Sequence, residues 1–123
     1  MTARYSFGFD EPTRSLRVLS HGTWTLEQAE RYKQAFCSHL SVARERFGCA
    51  RVLVDGRAAA TNDVAVSRLL GSLGTLFNQL GDRLAIVTPS SLRKQQAVRE
   101  GLPDTIMVFL SPDAAKTWLF AHD

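Results

Sequence analysis

Three apolar runs in this chain, Val52-Leu53-Val54, Leu84-Ala85-Ile86-Val87 and Ile106-Met107-Val108-Phe109-Leu110, are separated from one another by helical patterns. That alternation constrains the fold more than any other feature. Short, wholly apolar runs mark strands buried on both faces, as in a parallel sheet. Parallel neighbours need a crossover connection, and a helix between each pair supplies it. Two β-like segments come first. Tyr5-Ser6-Phe7-Gly8-Phe9 alternates apolar with small or polar residues, and Leu16-Arg17-Val18-Leu19-Ser20 follows after the turn formers Asp10-Glu11-Pro12-Thr13-Arg14. Together they read as an antiparallel hairpin.

The helices carry their own punctuation. Thr25-Leu26-Glu27-Gln28 is a capping box, in which the threonine hydroxyl and the glutamine amide satisfy each other's backbone. Ala29, Tyr32, Phe36, Leu40, Ala43 and Phe47 then recur at helical spacing to about Arg46, and Gly48 ends the run. Thr61, Asn62 and Asp63 offer a cap for a second helix with Val66, Leu69, Leu70, Leu73, Leu76, Phe77 and Leu80 on one face. Gly71 and Gly74 lie off that row and suggest close packing against another backbone, since glycine otherwise costs a helix about 1 kcal/mol. The same glycines would permit a homodimer packed through this helix, although packing within the chain is the simpler reading. Ser90 caps a third helix, and Ser111-Pro112-Asp113 opens a fourth. The expected fold is α/β: a mixed, mostly parallel five-stranded sheet with four helices in the order β-β-α-β-α-β-α-β-α. One domain covers residues 1–123.

Composition removes several classes of function. Hydrophobic residues make up 45% and charged residues 22% of 123, an ordinary balance for a globular protein. No apolar run approaches a membrane span, and charges interrupt the first twenty residues, so a cytoplasmic protein is expected. The net charge of +3 comes from scattered Lys and Arg with no run beyond Arg93-Lys94, a poor footprint for nucleic acid. Cys37 and Cys49 read as reduced, largely buried thiols, and no Cys/His spacing suggests a metal or calls for a cofactor.

The candidate site lies where the strands end. Arg51-Val52-Leu53-Val54-Asp55-Gly56 is read as a strand stopping in an acidic turn, which puts a carboxylate at the carboxyl edge of the sheet, where open α/β sheets hold ligands. Asp55-Gly56-Arg57, Thr88-Pro89-Ser90-Ser91 and Ser111-Pro112-Asp113 gather at that edge. Helix amino ends attract anions, and Arg57 could add a charge-assisted contact. The plain alternative is three capped turns with an Asp55–Arg57 or Asp55–serine hydrogen bond. Arg93, Lys94 and Arg99 could meet an acidic surface or be merely solvated. Trp24 either staples the start of the first helix or pairs with Phe7 or Phe9 to line an apolar pocket.

The run Val52-Leu53-Val54-Asp55, with a capped helix about eight residues later, resembles the STAS-like superfamily. So does the close at Ile106-Met107-Val108-Phe109-Leu110-Ser111-Pro112-Asp113-Ala114-Ala115. This is the fold of anti-sigma-factor antagonists and of sulfate-transporter cytoplasmic domains, and the pattern is most similar to the SpoIIAA-like branch. The resemblance implies a regulatory or binding module. Antagonist members carry an Asp-Ser-Ser-Gly-like segment with a phosphorylated serine. Here Asp63 falls at the acid, but Val64 follows it, and Thr61 and Ser67 are out of register. The branch's similarity to lipid-transfer domains also implies a small apolar or amphipathic ligand.

Three readings follow. A non-enzymatic module would engage a protein partner or small anionic ligand through Asp55, Arg57, Thr61, Asn62, Asp63, Ser90 and Ser111. A carrier would hold an apolar or lipid ligand in a helix–sheet cavity lined by Trp24, Leu69, Leu73 and Phe77. A small enzyme would use Asp55 and His21 for acid–base work, which needs matched geometry and shifted pKa values.

Overall fold

Polar turn chemistry folds the first two strands onto each other. In a computed structural model describing residues 4–59 and 64–121, β1 (Arg4–Asp10) and β2 (Ser15–Gly22) pair antiparallel. The Arg14 N–H donates to the Glu11 carbonyl at 3.1 Å, with Arg14 in the left-handed region at φ 53°. The Thr25–Gln28 box then starts α1 (Leu26–Phe47), and Gly48 ends it at φ 85°, its N–H bonded to the Arg44 carbonyl. β3 (Arg51–Ala59), α2 (Val64–Gly71), β4 (Arg83–Val87), α3 (Ser91–Glu100), β5 (Ile106–Phe109) and α4 (Pro112–Leu119) follow. Ser90 and Ser111 cap α3 and α4.

The sheet runs β1-β2-β3-β4-β5, with β2 through β5 parallel. Each crossover steps the same way along the sheet, so right-handed connections place their helices on one face. The packing agrees. Ala29, Tyr32, Phe36, Leu40 and Ala43 of α1, with Val66 of α2, share a core with Leu16, Val18, Val52, Leu84 and Ile106. Strand residues of the opposite parity, Leu53, Ala85 and Val87, form a smaller core with Ala115 and Leu119 of α4. Thus α4 covers the other face.

At the amino end of β4, Asp82 is buried and ties three segments together. Its carboxylate takes an Arg44 guanidinium N–H at 2.6 Å, the Ala50 N–H at 2.8 Å and the Gln79 N–H at 3.1 Å.

Several expectations are corrected. β3 does not stop at Asp55. Past an irregularity between Leu19 and His21, β2 pairs His21 with Ala58 and Gly22 with Ala59, so Asp55-Gly56-Arg57 lies inside the strand. The second helix is shorter than its apolar row. It tightens into a 3-10 turn, Ser72–Leu76, where the Ser72 and Thr75 hydroxyls donate to carbonyls three residues back, in competition with the helical ladder. Leu80, expected on the apolar face, is 99% exposed. Gly74 does pack closely, but against a side chain: a Cβ there would stand 2.7 Å from Ile106 Cδ1, while Gly71 has open space. Trp24 pairs with Tyr5 and Tyr32 rather than Phe7 or Phe9. The two thiols are free and half-buried.

Candidate functional site

Register explains why the sheet opens at its carboxyl edge. On the face under α1, Leu16, Val52 and Leu84 stand in one cross-strand row, and Val18, Val54 and Ile86 in the next. These two rows are branched and fill the space beneath the helices. The same parity continues with Ser20 on β2, Gly56 on β3 and Thr88 just after β4, all small. Close packing cannot be kept where the side chains become this short. A cavity of about 260 Å³ opens there and reaches solvent.

Its walls join two residues expected in a helix–sheet pocket, Trp24 and Leu73, to others that the sequence marks only as core. Trp24, set just before the α1 cap, meets Tyr32 edge-on at 4.9 Å between ring centroids, and Tyr5 stacks on its outer side at 5.6 Å. Phe36 continues the α1 wall, and Leu70 and Leu73 close the opposite side. Gly56 lines the floor and packs tightly on β4, since a Cβ there would come within 3.2 Å of the Val87 carbonyl oxygen. Polar residues are sparse in the lining: Ser20, Tyr32 and Thr88, with Arg93 from the first turn of α3. Burial pushes the Tyr32 phenol up to about 12, against a smaller downward pull from its hydrogen bond with Ser20. It therefore stays neutral and able to donate.

The expected site residues divide between the faces. Trp24 and Leu73 line this cavity. Leu69 instead borders a shallow groove with Lys33 and Cys37, and Phe77 is buried behind the wall, 6.1 Å from the Phe36 ring. Asp55 and Arg57 have the opposite parity and face the α4 side, beside Leu19, Pro112 and Lys116. There the Arg57 guanidinium grips Asp55 with bonds of 3.0 and 2.7 Å, and the Arg57 backbone N–H adds a third at 3.1 Å. That pairing holds the Asp55 carboxyl below its ordinary value and Arg57 above its own. Ser90 and Ser111 spend their hydroxyls as caps, accepting from the N–H groups of Arg93 and Ala114. Thr61, Asn62 and Asp63 lie outside the described residues.

His21 shares a shallow depression with Asp55, and its charge adds a small downward pull on that carboxyl. No hydrogen bond joins the two. A carboxylate locked to arginine and shifted down is moved away from the near-neutral pKa that acid–base work needs. No group of three potential metal ligands occurs among the described residues, and no described helix is long and apolar enough to cross a membrane.

Ser20, Tyr32, Phe36, Gly56, Leu70, Thr88 and Arg93 were not singled out for this cavity. One signal was available: Val18, Val54 and Ile86 are each followed two positions later by a smaller residue, Ser20, Gly56 or Thr88.

No family model matches the chain, and no curated protein matches it significantly. Among solved structures, it is similar to an uncharacterised protein of the DUF3478 family from Shewanella loihica, described as having a SpoIIAA-like fold. The two align with a TM-score of 0.66 at 18% identity, over 96% of this chain and 93% of the other. At that identity the likeness speaks to the fold.

Proposed function

We propose that this domain, whose fold is SpoIIAA-like, is a non-enzymatic binding module that holds a small molecule with an apolar body in the cavity beneath α1 and α2. The fold fits a STAS-like regulatory module, and the ligand reading rests on one observation. The inward positions that follow the two filled rows are Ser20, Gly56 and Thr88, and the space that a core would fill stays open beside Trp24, Tyr32 and Phe36. Ligand sites are concave, mostly apolar and provided with few polar groups, as this one is. A volume of about 260 Å³ holds on the order of ten heavy atoms, taking a water's share of liquid as about 30 Å³.

The test is native mass spectrometry of protein purified gently from its own host, beside the cavity-filling variant Leu70→Trp. The wild type is expected to retain a small molecule that the variant lacks. A wild type that is bare, and whose unfolding temperature does not rise with added 1-octanol, would contradict the reading.

A second reading concerns the opposite face. Leu19 is 44% exposed between Arg17, Asp55 and Arg57, beside the part of the sheet that α4 covers. This exposed leucine with its charged surround favours a protein partner, with Asp55, Arg57 and Ser111 on the contact side. Leu19→Arg would abolish such a contact in a crosslinking assay and leave ligand retention intact.

A further inference from the structure

Among the described residues, the lining of the cavity carries one sign of charge. Among the described residues that line it, Arg93 is the only charged side chain, and no carboxylate faces the space. The remaining polar groups there are hydroxyls, of which the Tyr32 phenol, at 4% exposure, is buried. Arg93 also sits in the first turn of α3, at the positive end of a ten-residue helix. Low-dielectric walls strengthen the attraction between that cation and an anion, and they disfavour a second cation.

We infer that the cavity selects an amphipathic carboxylate, a molecule with an apolar body of about eight carbons whose anionic head meets Arg93 and the hydroxyls at the mouth. The inference rests on the ligand reading above and narrows it to a charge class. Arg93 need not be without other contacts for this. A guanidinium has five N–H donors in a planar fork, enough for a carboxylate alongside another partner. The hydroxyls of Ser20 and Thr88 mark the same end of the sheet, so the head lies at the carboxyl edge and the tail against Phe36, Leu70 and Leu73. The neutral phenol of Tyr32 adds no charge to repel the head.

The experiment is isothermal titration calorimetry of the full chain with octanoate, 1-octanol and octylammonium, repeated on Arg93→Gln and Arg93→Lys. Unfolding temperatures serve as the check that each variant is folded. The wild type should bind octanoate about tenfold or more tightly than 1-octanol, as one charge-assisted contact allows, and octylammonium least. In Arg93→Gln the ratio of octanoate to 1-octanol affinity should fall below about threefold, and Arg93→Lys should restore part of it. Equal binding of octanoate and 1-octanol by the wild type overturns the charge selection but leaves the cavity reading standing. A preference that survives Arg93→Gln overturns the role of Arg93. If neither octanoate nor 1-octanol binds, the cavity reading itself falls.

Discussion

The two faces of this sheet are built from the same strands and do opposite things. Under α1, the inward parity gives two filled rows and then a cavity. Under α4, the other parity gives a small core of Leu53, Ala85 and Val87 with Ala115 and Leu119, and beside it a charged border of Arg17, Asp55, Arg57 and Lys116. Each face also has an Asp–Arg pair, and the two differ in what surrounds them. Asp82 is buried and serves three donors from separate segments. Among the described residues Asp55 is hydrogen-bonded by Arg57, two residues away on its own strand, and half of the Arg57 side chain is exposed. The same ion-pair chemistry is a structural knot in one place and a local surface feature in the other. Burial and the number of segments joined make the difference.

The largest effect that should follow is at the knot. Asp82→Ala leaves the Arg44 guanidinium part-buried without its carboxylate and removes the acceptor for two backbone N–H groups. A loss of roughly 3–5 kcal/mol is expected by urea denaturation, a fall in Tm of at least about 10 °C. A loss under about 1 kcal/mol would erase the contrast between the two aspartates.

A smaller and more discriminating test uses Gly71 and Gly74, which flank Leu73 of the cavity wall in sequence. Gly74→Ala drives a methyl toward Ile106 Cδ1 and should cost about 1 kcal/mol or somewhat more. Gly71→Ala meets nothing within 4 Å in a right-handed helical backbone, and should stabilise by about 0.4–1 kcal/mol. The opposite signs, read from paired denaturation curves, would separate a packed glycine from one that merely weakens the helix.

The smallest effect belongs to the exposed pair. The carboxyl of Asp55 lies below its ordinary 3.8 in the folded protein. A depressed native pKa contributes stability above the unfolded value and loses it as pH falls through the native one. Asp55→Asn should therefore be slightly less stable than wild type at about pH 7 and match it at about pH 2. A gap that widens with acid would reverse the assignment.

Much of the fold was legible because local chemistry and tertiary structure agree. The Thr25–Gln28 box, Gly48, Ser90 and Ser111 act as caps as expected, and the apolar runs are strands. The errors came where tertiary pairing overrode local signals. Asp55-Gly56 looks like a turn, but β2 continues beyond its irregularity and holds β3 extended to Ala59. Leu80 keeps the helical spacing, but the chain leaves the helix at the 3-10 turn, and spacing alone cannot show that. The candidate cavity was only half legible for a related reason. Asp55 drew attention as a charge at a strand end, while strand alternation turns it away from the cavity. The cavity is made by what Ser20, Gly56 and Thr88 lack, and an absent side chain registers in a sequence only once the strands are aligned. The Asp82 knot was not legible, because nothing local shows that Arg44, 38 positions earlier, reaches it.

The most direct test of the cavity's role is a titration of isotope-labelled protein with 1-octanol, followed through backbone amide, indole and methyl NMR signals. Saturable shifts are predicted at the Trp24 indole, Gly56, Leu70 and Leu73, with Leu19, Arg57 and Lys116 unmoved. Shifts confined to Leu19, Arg57 and Lys116, or none at all up to saturation of the solvent, would contradict it.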